Sequence, residues 1–531
     1  MDFTATLQPS LYLDGDAEKE AVHMNDTFEI YGLKFDPGKV IDNPSDLQLR
    51  EWALEQGGMM TQTGNLAVIT QVRSRSAKFT EIYHDKAPEE KDIKLIGEVF
   101  DYLKDKEVIR LDRRMCMHPD YLFHARVYIT ADYARIPLMW GNTLFEQDDK
   151  DGTPDFITIT IADWPERRVM VFPEEGLTII LGSDYKGENK KAMLRQLMYA
   201  VKKRGCLGLH AGSKIARVKS QGELTDVGFL FFGLSGTGKT SLTCHSHWLD
   251  HPEKIIIRQD DVVILRPDGS ALGTENSYYV KTDALDLDSQ PLLYAACLSP
   301  RTILENVMVH EDTLSIDFRD STITSNGRAM VKRSDVAFTD DQIDLPKVHN
   351  IVFITRRQDV VPPIARLSPE FGAAAFMLGE SIETSAGDPT MAGRAIRVVG
   401  TNPFIVGSES EEGNIFLSIL RRNPGIQCYM MNTGRVGGTE GLAGENISVR
   451  DSVKIIEMVA RGEIKWKEDP FWGYEVPEEI PGMDYSRFNL GNFYQPSEIS
   501  SLEEALRTER IEWLERFEDL DPDILNAIRG G

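Results

Sequence analysis

Apolar positions along this chain change period several times, and each change marks an element. Val227, Phe229, Leu230, Phe231 and Phe232 make a nearly unbroken apolar run, which reads as a buried strand. Residues 125–130 and Phe156–Ile161 alternate with period two, the pattern of half-buried strands. Between them lies an acidic, glycine-containing loop at 146–154. Met193, Leu194, Leu197, Met198 and Val201 recur at helical spacing, so residues 190–203 are expected to form a helix that Gly205 ends. A strand should follow at 206–210, and a domain boundary is expected near Gly205. Further strands are expected at 254–265, broken by two acids, and at 304–309, 349–355 and Gln427–Asn432. Residues 380–400, rich in Gly, Ser and Thr, read as a mobile loop. From Ile499 the spacing of Leu502, Ala505, Leu506, Ile511 and Leu514 predicts an amphipathic helix, with acidic turns after it.

Between the strand ending at Phe232 and the next predicted helical turn lies Gly233, Leu234, Ser235, Gly236, Thr237, Gly238, Lys239 and Thr240. This is the full G-x-x-x-x-G-K-[ST] pattern in the strand–loop–helix context it requires. Glycines let backbone N–H groups curl around phosphate oxygens, a lysine reaches the β- and γ-phosphates, and a hydroxyl holds Mg²⁺. The chain is therefore expected to bind a nucleoside triphosphate. Asp260 and Asp261 follow about twenty residues later at the end of an apolar run, where a nucleotidase keeps a carboxylate for its metal.

Length and charge narrow the partners. A chain of 531 residues exceeds one compact core and suggests about two or three domains. With 84 acidic against 59 basic residues, its formal charge of −25 argues against general binding of nucleic acid or anionic membrane. An anionic ligand must then meet a local basic pocket, so clustered cations near the loop carry weight. No stretch is apolar enough to span a bilayer, and the N-terminus shows no secretory signal. Five scattered cysteines fit a reduced, cytoplasmic protein. Cys244, His245 and His247 lack partners at ligand spacing and read as a helix start rather than a metal site.

Other residues are ambiguous alone. Lys190 and Lys191 open a helix, where the dipole disfavours cations, so they are either a solvated face or a functional choice. His210 is either a core histidine or a metal ligand. Arg75 and Arg366 are candidate anion clamps, since guanidinium forks suit carboxylates and phosphates.

Together these pieces resemble the ATP-dependent phosphoenolpyruvate carboxykinase family. The loop matches that family's own wording, and Tyr185-Lys-Gly-Glu-Asn-Lys190-Lys191 resembles its Tyr-x-Gly-Glu-x-Lys-Lys signature. Segments at Tyr278–Thr282, Leu304–Val307, Pro362–Leu367, Asn432–Gly434 and Val476–Gly482 match in order. The resemblance implies an α/β, two-domain carboxykinase-like fold: a substrate-side domain over 1–205, then a P-loop nucleotide-binding domain of mixed sheet with a helical tail over 206–531. It implies reversible conversion of oxaloacetate and ATP into phosphoenolpyruvate, CO₂ and ADP, the lyase step of gluconeogenesis, by a monomer or small homo-oligomer.

The resemblance also assigns roles. Lys191, His210 and Asp261 would hold Mn²⁺, and Thr240 with Asp260 would serve a second cation, Mg²⁺. Lys190 and Lys239 would face the transferring phosphoryl group, and Ser235 would touch it. Arg75 and Tyr185 would grip oxaloacetate, Arg366 would hold the region between enolate and phosphate, and nucleotide contacts would extend to Lys281, Arg366 and Ser452.

Departures accompany the match. Gln259-Asp-Asp-Val-Val replaces the family's Gly-Asp-Asp-Glu-His, and Asn446 stands where an arginine usually precedes the adenine-side segment, which leaves base preference open. A kinase of other acceptors on the same scaffold would keep the loop and the acids without needing Arg75, Tyr185, Lys191 and His210. A non-catalytic nucleotide binder would have no need of Lys239, Thr240 or Asp261.

Overall fold

The computed structural model describes residues 27–530 except 75, 148–151, 235, 284, 289, 383–394 and 439–442. The N-terminal stretch read for a signal, most of the predicted mobile loop, and the candidates Arg75 and Ser235 lie outside the described residues.

Two large mixed sheets organise the chain. The first has seven strands in the order Lys39–Asp42, Glu107–Met115, Phe123–Thr130, Phe156–Ile161, Leu177–Leu181, Arg168–Phe172, Thr80–Ile82. The second has eight, in the order Lys254–Gln259, Ala211–Ser220, Glu223–Phe232, Asn350–Thr355, Gln427–Asn432, Ile364–Leu367, Glu475–Glu479, Lys465–Glu468. A five-stranded sheet (Ser277–Lys281, Arg328–Lys332, Ile303–Glu305, Leu66–Val68, Met59–Met60) joins early and late segments, with Leu66–Val68 parallel to Ile303–Glu305.

The loop strand Glu223–Phe232 is buried on both faces from Val227 onward. Leu230 and Phe232 enter one core cluster, while Phe229 and Phe231 enter another. Such a central strand reads as a continuous apolar run because neither face meets water. Phe156–Ile161, expected to be half-buried, is likewise fully buried. Its threonine face is covered by helix Lys186–Lys202, and Thr160 Oγ1 donates to Asn189 Oδ1 at 2.6 Å.

That helix starts four residues before the predicted position, with Tyr185 as its N-cap residue. Its first turn holds Lys186, Gly187 and Glu188, all buried, so polarity hid it from the apolar spacing. Gly187 has a packing reason: a Cβ there would lie 2.3 Å from the Tyr185 ring. Gly205, at φ 71°, lies just past the helix end as expected.

The strand expected at 254–265 divides at the acids into Lys254–Gln259 and Val263–Leu265, which belong to different sheets. The run at 304–309 breaks at Asn306, in the left-handed region at φ 59°. The C-terminal helix spans Pro496–Leu514, and a second helix, Pro522–Arg529, stands where acidic turns were expected. Proline at its start and alternating Ile524 and Ile528 in the core explain it. No described helix is long and apolar enough to cross a membrane.

Candidate active site

The phosphate loop leaves the central strand and closes onto a short helix, Lys239–Thr243. Gly236 and Gly238 take φ of 81° and 100°, which a side chain would resist. The turn is pinned from outside: Arg356 Nη1 donates to the Gly236 carbonyl at 2.9 Å, and Thr433 Oγ1 donates to that of Thr237 at 2.7 Å. Cys244 caps this helix, so the cysteine and histidines after it follow a helix end and not a helix start. Lys214 Nζ meets His247 Nε2 at 2.7 Å, and no group of three or more His, Cys, Asp or Glu side chains placed to hold a metal ion occurs among the described residues.

Breaking the 254–265 segment puts Asp260 and Asp261 beside the loop. Thr240 Oγ1 donates to Asp260 Oδ2 at 3.1 Å, while buried Asp260 Oδ1 has no hydrogen-bond partner. Asp261 is the hub. Its Oδ2 lies 2.7 Å from Lys190 Nζ and 2.8 Å from Lys191 Nζ; its Oδ1 lies 3.0 Å from His210 Nε2 and 3.8 Å from Lys239 Nζ. Lys190 is fully buried and also pairs with Glu275 at 3.0 Å. Four predicted residues therefore converge on one predicted carboxylate, from helix Lys186–Lys202, the turn after strand Leu207–Leu209, and the loop helix.

Burial and charge set their protonation. Burial outweighs the pull of Asp261 on Lys191, and its ammonium pKa falls to about 8. Burial and the nearby lysine charges of Lys239 and Lys191 take His210 down to about 4. Lys190 moves up, because Asp261 and Glu275 outweigh its desolvation. Burial lifts Asp260 to about 6, and Asp261 is held well below its usual range by Lys190 and Lys191 against the cost of burial.

His210 Nδ1 donates to the Thr401 carbonyl at 2.7 Å, which fixes the tautomer and leaves Nε2 with its lone pair. That lone pair lies 3.0 Å from Asp261 Oδ1 and 3.2 Å from Lys239 Nζ, so two acceptors share a cation here, a position that a divalent ion can take. A neutral imidazole, an amine with a depressed pKa and a carboxylate fit a borderline ion such as Mn²⁺.

The segment expected to meet the substrate is tied to the same helix. Asp184, just before it, accepts from the backbone N–H groups of Gln71 and Val72 at 2.9 Å each and from Arg135 at 2.7 Å. Glu188 accepts from Ser76 N at 2.5 Å. Both flanks of the segment carrying Arg75 are thus fastened to the lysine helix. Tyr185 is buried, and its hydroxyl accepts from Asn326 Nδ2 at 3.2 Å.

Arg366 is not brought to this cluster. It lies three strands from the loop strand, roughly 14 Å at sheet spacing. Its fork is taken by Glu475 through two 2.6 Å bonds, and it stacks over Trp466. The arginine that does reach the site is Arg328, at the start of strand Arg328–Lys332. Its guanidinium lies over Tyr279 at 5.3 Å and next to Tyr185, its charge couples to Asp261, and its Nε has no hydrogen-bond partner. Sequence reasoning missed Arg328, which sits in a polar stretch with no distinguishing spacing.

It also missed Glu275 and Lys186. Lys186 Nζ is buried without a hydrogen-bond partner, 4.3 Å above the Tyr279 ring, and burial beside Lys190 lowers its pKa to about 7. Glu305, quoted only as part of a matching segment, accepts from Lys186 N at 3.0 Å and from the Tyr279 hydroxyl. Lys281 donates to Asp283 at 2.8 Å, Ser452 is buried in helix Val449–Arg461, and Asn446 is exposed at the end of the Arg435–Val436/Glu445–Asn446 hairpin.

The chain as a whole is similar to known proteins. The sequence profile of the family Phosphoenolpyruvate carboxykinase matches residues 38–486. A phosphoenolpyruvate carboxykinase (ATP) from Aeropyrum pernix is 33% identical over 478 residues, covering 89% of this chain and 93% of that protein. One from Azorhizobium caulinodans is 27% identical over 496 residues, covering 86% of this chain and 88% of the relative. A third, from Dictyostelium discoideum, is 27% identical over 525 residues, covering 90% and 88% respectively. With a complete phosphate loop beside a carboxylate that gathers three lysines and a histidine, and a match spanning most of its length, this chain belongs to the ATP-dependent phosphoenolpyruvate carboxykinase family.

Proposed function

We propose that the chain converts oxaloacetate and ATP reversibly into phosphoenolpyruvate, CO₂ and ADP at the cluster centred on Asp261. The observation that carries this assignment is the convergence of Lys190, Lys191 and His210 within 3.0 Å of that carboxylate, with Lys239 of the loop at 3.8 Å.

The loop backbone from Gly233 to Thr240 cradles the triphosphate, and Lys239 offsets charge as it moves toward the β-phosphate. Lys191, His210 and Asp261 would hold Mn²⁺, and Thr240 with Asp260 would hold Mg²⁺. Such ions, when bound, polarise a substrate oxygen and neutralise phosphate charge. Arg75 and Tyr185 hold oxaloacetate, and Asp184 and Glu188 fasten the backbone of Gln71, Val72 and Ser76 on either side of Arg75 in sequence. The C–C bond electrons stay with the substrate as CO₂ leaves, giving an enolate. The enolate oxygen attacks the γ-phosphorus in line, and the bond to ADP breaks. Lys190 keeps its proton, since Asp261 and Glu275 favour the ammonium, and offers fixed positive charge to the phosphoryl group. We assign to Arg328 the bridging role between enolate and phosphate that the sequence suggested for Arg366, because its guanidinium adjoins Tyr185 and couples to Asp261.

The division into a substrate-side body up to residue 205 and a nucleotide-binding body from 206 belongs to the same proposal. The two large sheets support it, although Leu66–Val68 pairs across it with Ile303–Glu305. Five buried, unpaired cysteines support a cytoplasmic location. The test is oxaloacetate-dependent formation of phosphoenolpyruvate with ATP, GTP and ITP in parallel, in Mn²⁺ plus Mg²⁺. Product with ATP, lost in Lys191→Ala, supports the assignment; tight nucleotide binding with no product from any donor refutes it.

A further inference from the structure

The carbonyl that orients His210 belongs to an unfavourable residue. Thr401 is β-branched, buried, and sits at φ 51°, a conformation that persists only where the surroundings impose it. Thr401 borders a small, mostly apolar cavity with Phe353, Phe376, Met430 and Arg510, and its Oγ1 has no hydrogen-bond partner. The turn also packs on helix Pro369–Leu378, where a Cβ on Gly400 would lie 2.6 Å from the Phe376 ring.

It is held as well by the short hairpin before it. Glu380–Ile382 pairs with Ala395–Arg397, and Val398 N donates back to the Gly379 carbonyl at 3.3 Å. Thr401 N then donates to the Val398 carbonyl at 2.7 Å. The hairpin base is closed by charge. Glu380 pairs with Arg397 at 2.9 Å across the two strands and accepts a fork from Arg510, Nη2 at 2.8 Å and Nε at 3.1 Å. Glu509 then takes Arg397 at 2.9 Å and Arg357 at 3.2 Å. Arg357 follows Arg356, the residue that pins the Gly236 carbonyl of the phosphate loop.

Glu509 and Arg510 lie on helix Pro496–Leu514, past residue 486, where the family match ends. We propose that Arg510, aided by Glu509, is a positioning residue for the metal site: by clasping Glu380 and Arg397 it holds the hairpin that presents the Thr401 carbonyl to His210. A C-terminal element remote from the reacting atoms thereby sets the imidazole's orientation. This rests on His210 being a metal ligand.

The same helix also packs against the core through Leu506 and Leu514, so the test must separate orientation from general cohesion. Mn²⁺ binding to the purified full chain, without substrates, makes that separation by calorimetric titration or by EPR of the free ion. Arg510→Met and Glu380→Gln are expected to weaken Mn²⁺ about ten- to a hundredfold, the range for residues that orient a ligand. Leu506→Ala, which loosens the same helix, is expected to lower the melting temperature and leave Mn²⁺ affinity unchanged. Arg510→Met that binds Mn²⁺ like the wild type overturns the proposal, as does an equal loss in Leu506→Ala. If Arg510→Met does not fold, Arg510→Lys keeps the charge without the fork; a severalfold weakening supports the clasp, and wild-type affinity overturns it. His210→Ala that binds Mn²⁺ undiminished shows that the metal assignment itself has failed, and the inference falls with it.

Discussion

Two buried charge networks in this molecule use the same ingredients to opposite ends. In the C-terminal clasp, Glu380, Glu509 and Asp359 face Arg357, Arg397 and Arg510, acids and guanidinium groups matched three to three. There Arg510 and Arg397 overcome the cost of burying Glu380 and take its pKa down to about 2, so Glu380 is charged at any ordinary pH. At and around the Asp261 cluster burial wins for four groups. Lys191 falls to about 8, Lys186 to about 7 and His210 to about 4, while Asp260 rises to about 6. Paired charges build a frame, whereas groups displaced toward neutrality are free to ligate or to meet the charge of a substrate.

The most severe way to break the contrast is Asp261→Asn. It leaves Lys190 and Lys191 buried without their shared carboxylate, which should cost about 3–5 kcal/mol of stability. It should also reduce phosphoenolpyruvate formation by at least about 10³-fold, since one preorganised electrostatic contact is worth about 10²–10³ and this group makes several. Parallel melts and rate assays check both.

Glu188→Gln acts at one remove. It keeps the helix and weakens the tie to Ser76 N, so the segment carrying Arg75 is held on one flank only. The expected result is a fall of about tenfold in kcat/KM for oxaloacetate, with the affinity for nucleotide unchanged. Loss of nucleotide affinity in this variant would contradict the assigned substrate end.

Lys214 offers the smallest and cleanest case, a buried ammonium with no carboxylate partner among the described residues. Its Nζ donates to the Leu242 carbonyl and meets His247 Nε2 at 2.7 Å. Burial lowers its pKa from 10.5 to about 7. Between those values the unfolded chain binds the extra proton, so folded stability falls as pH falls, by up to about 1.4 kcal/mol per unit. Lys214→Met removes this dependence. Its melting temperature relative to wild type should rise as pH goes from 10 to about 7 and then level off. A gap independent of pH would show that Lys214 stays charged.

Much of the site was legible because the chemistry is written locally. The loop needs its glycines and lysine at fixed spacing, and Asp260–Asp261 announces itself by interrupting an apolar strand. The Tyr185–Lys191 signature lies on a single helix start. What stayed hidden arrives by strand pairing. Arg328, Glu305 and Tyr279 meet only because Arg328–Lys332 lies between Ser277–Lys281 and Ile303–Glu305 in one sheet, an adjacency that no periodicity encodes. Arg366 looks equally suitable in sequence, and only Glu475, over one hundred residues later, reveals that its fork is occupied. Thr401 was invisible for another reason: its contribution is a backbone carbonyl, which any residue supplies.

The account turns on which arginine serves the reaction, and one pair of variants tests that directly. Steady-state formation of phosphoenolpyruvate from oxaloacetate and ATP is measured for wild type, Arg328→Gln and Arg366→Gln, alongside their melting temperatures. The account predicts that Arg328→Gln loses about 10²–10³ in kcat while remaining folded. Arg366→Gln should keep kcat within about threefold and lose only the stability of a pair whose arginine side chain is 32% exposed, about 1 kcal/mol or less. The reverse result, with Arg366→Gln inactive and Arg328→Gln near wild type, would contradict the site as drawn.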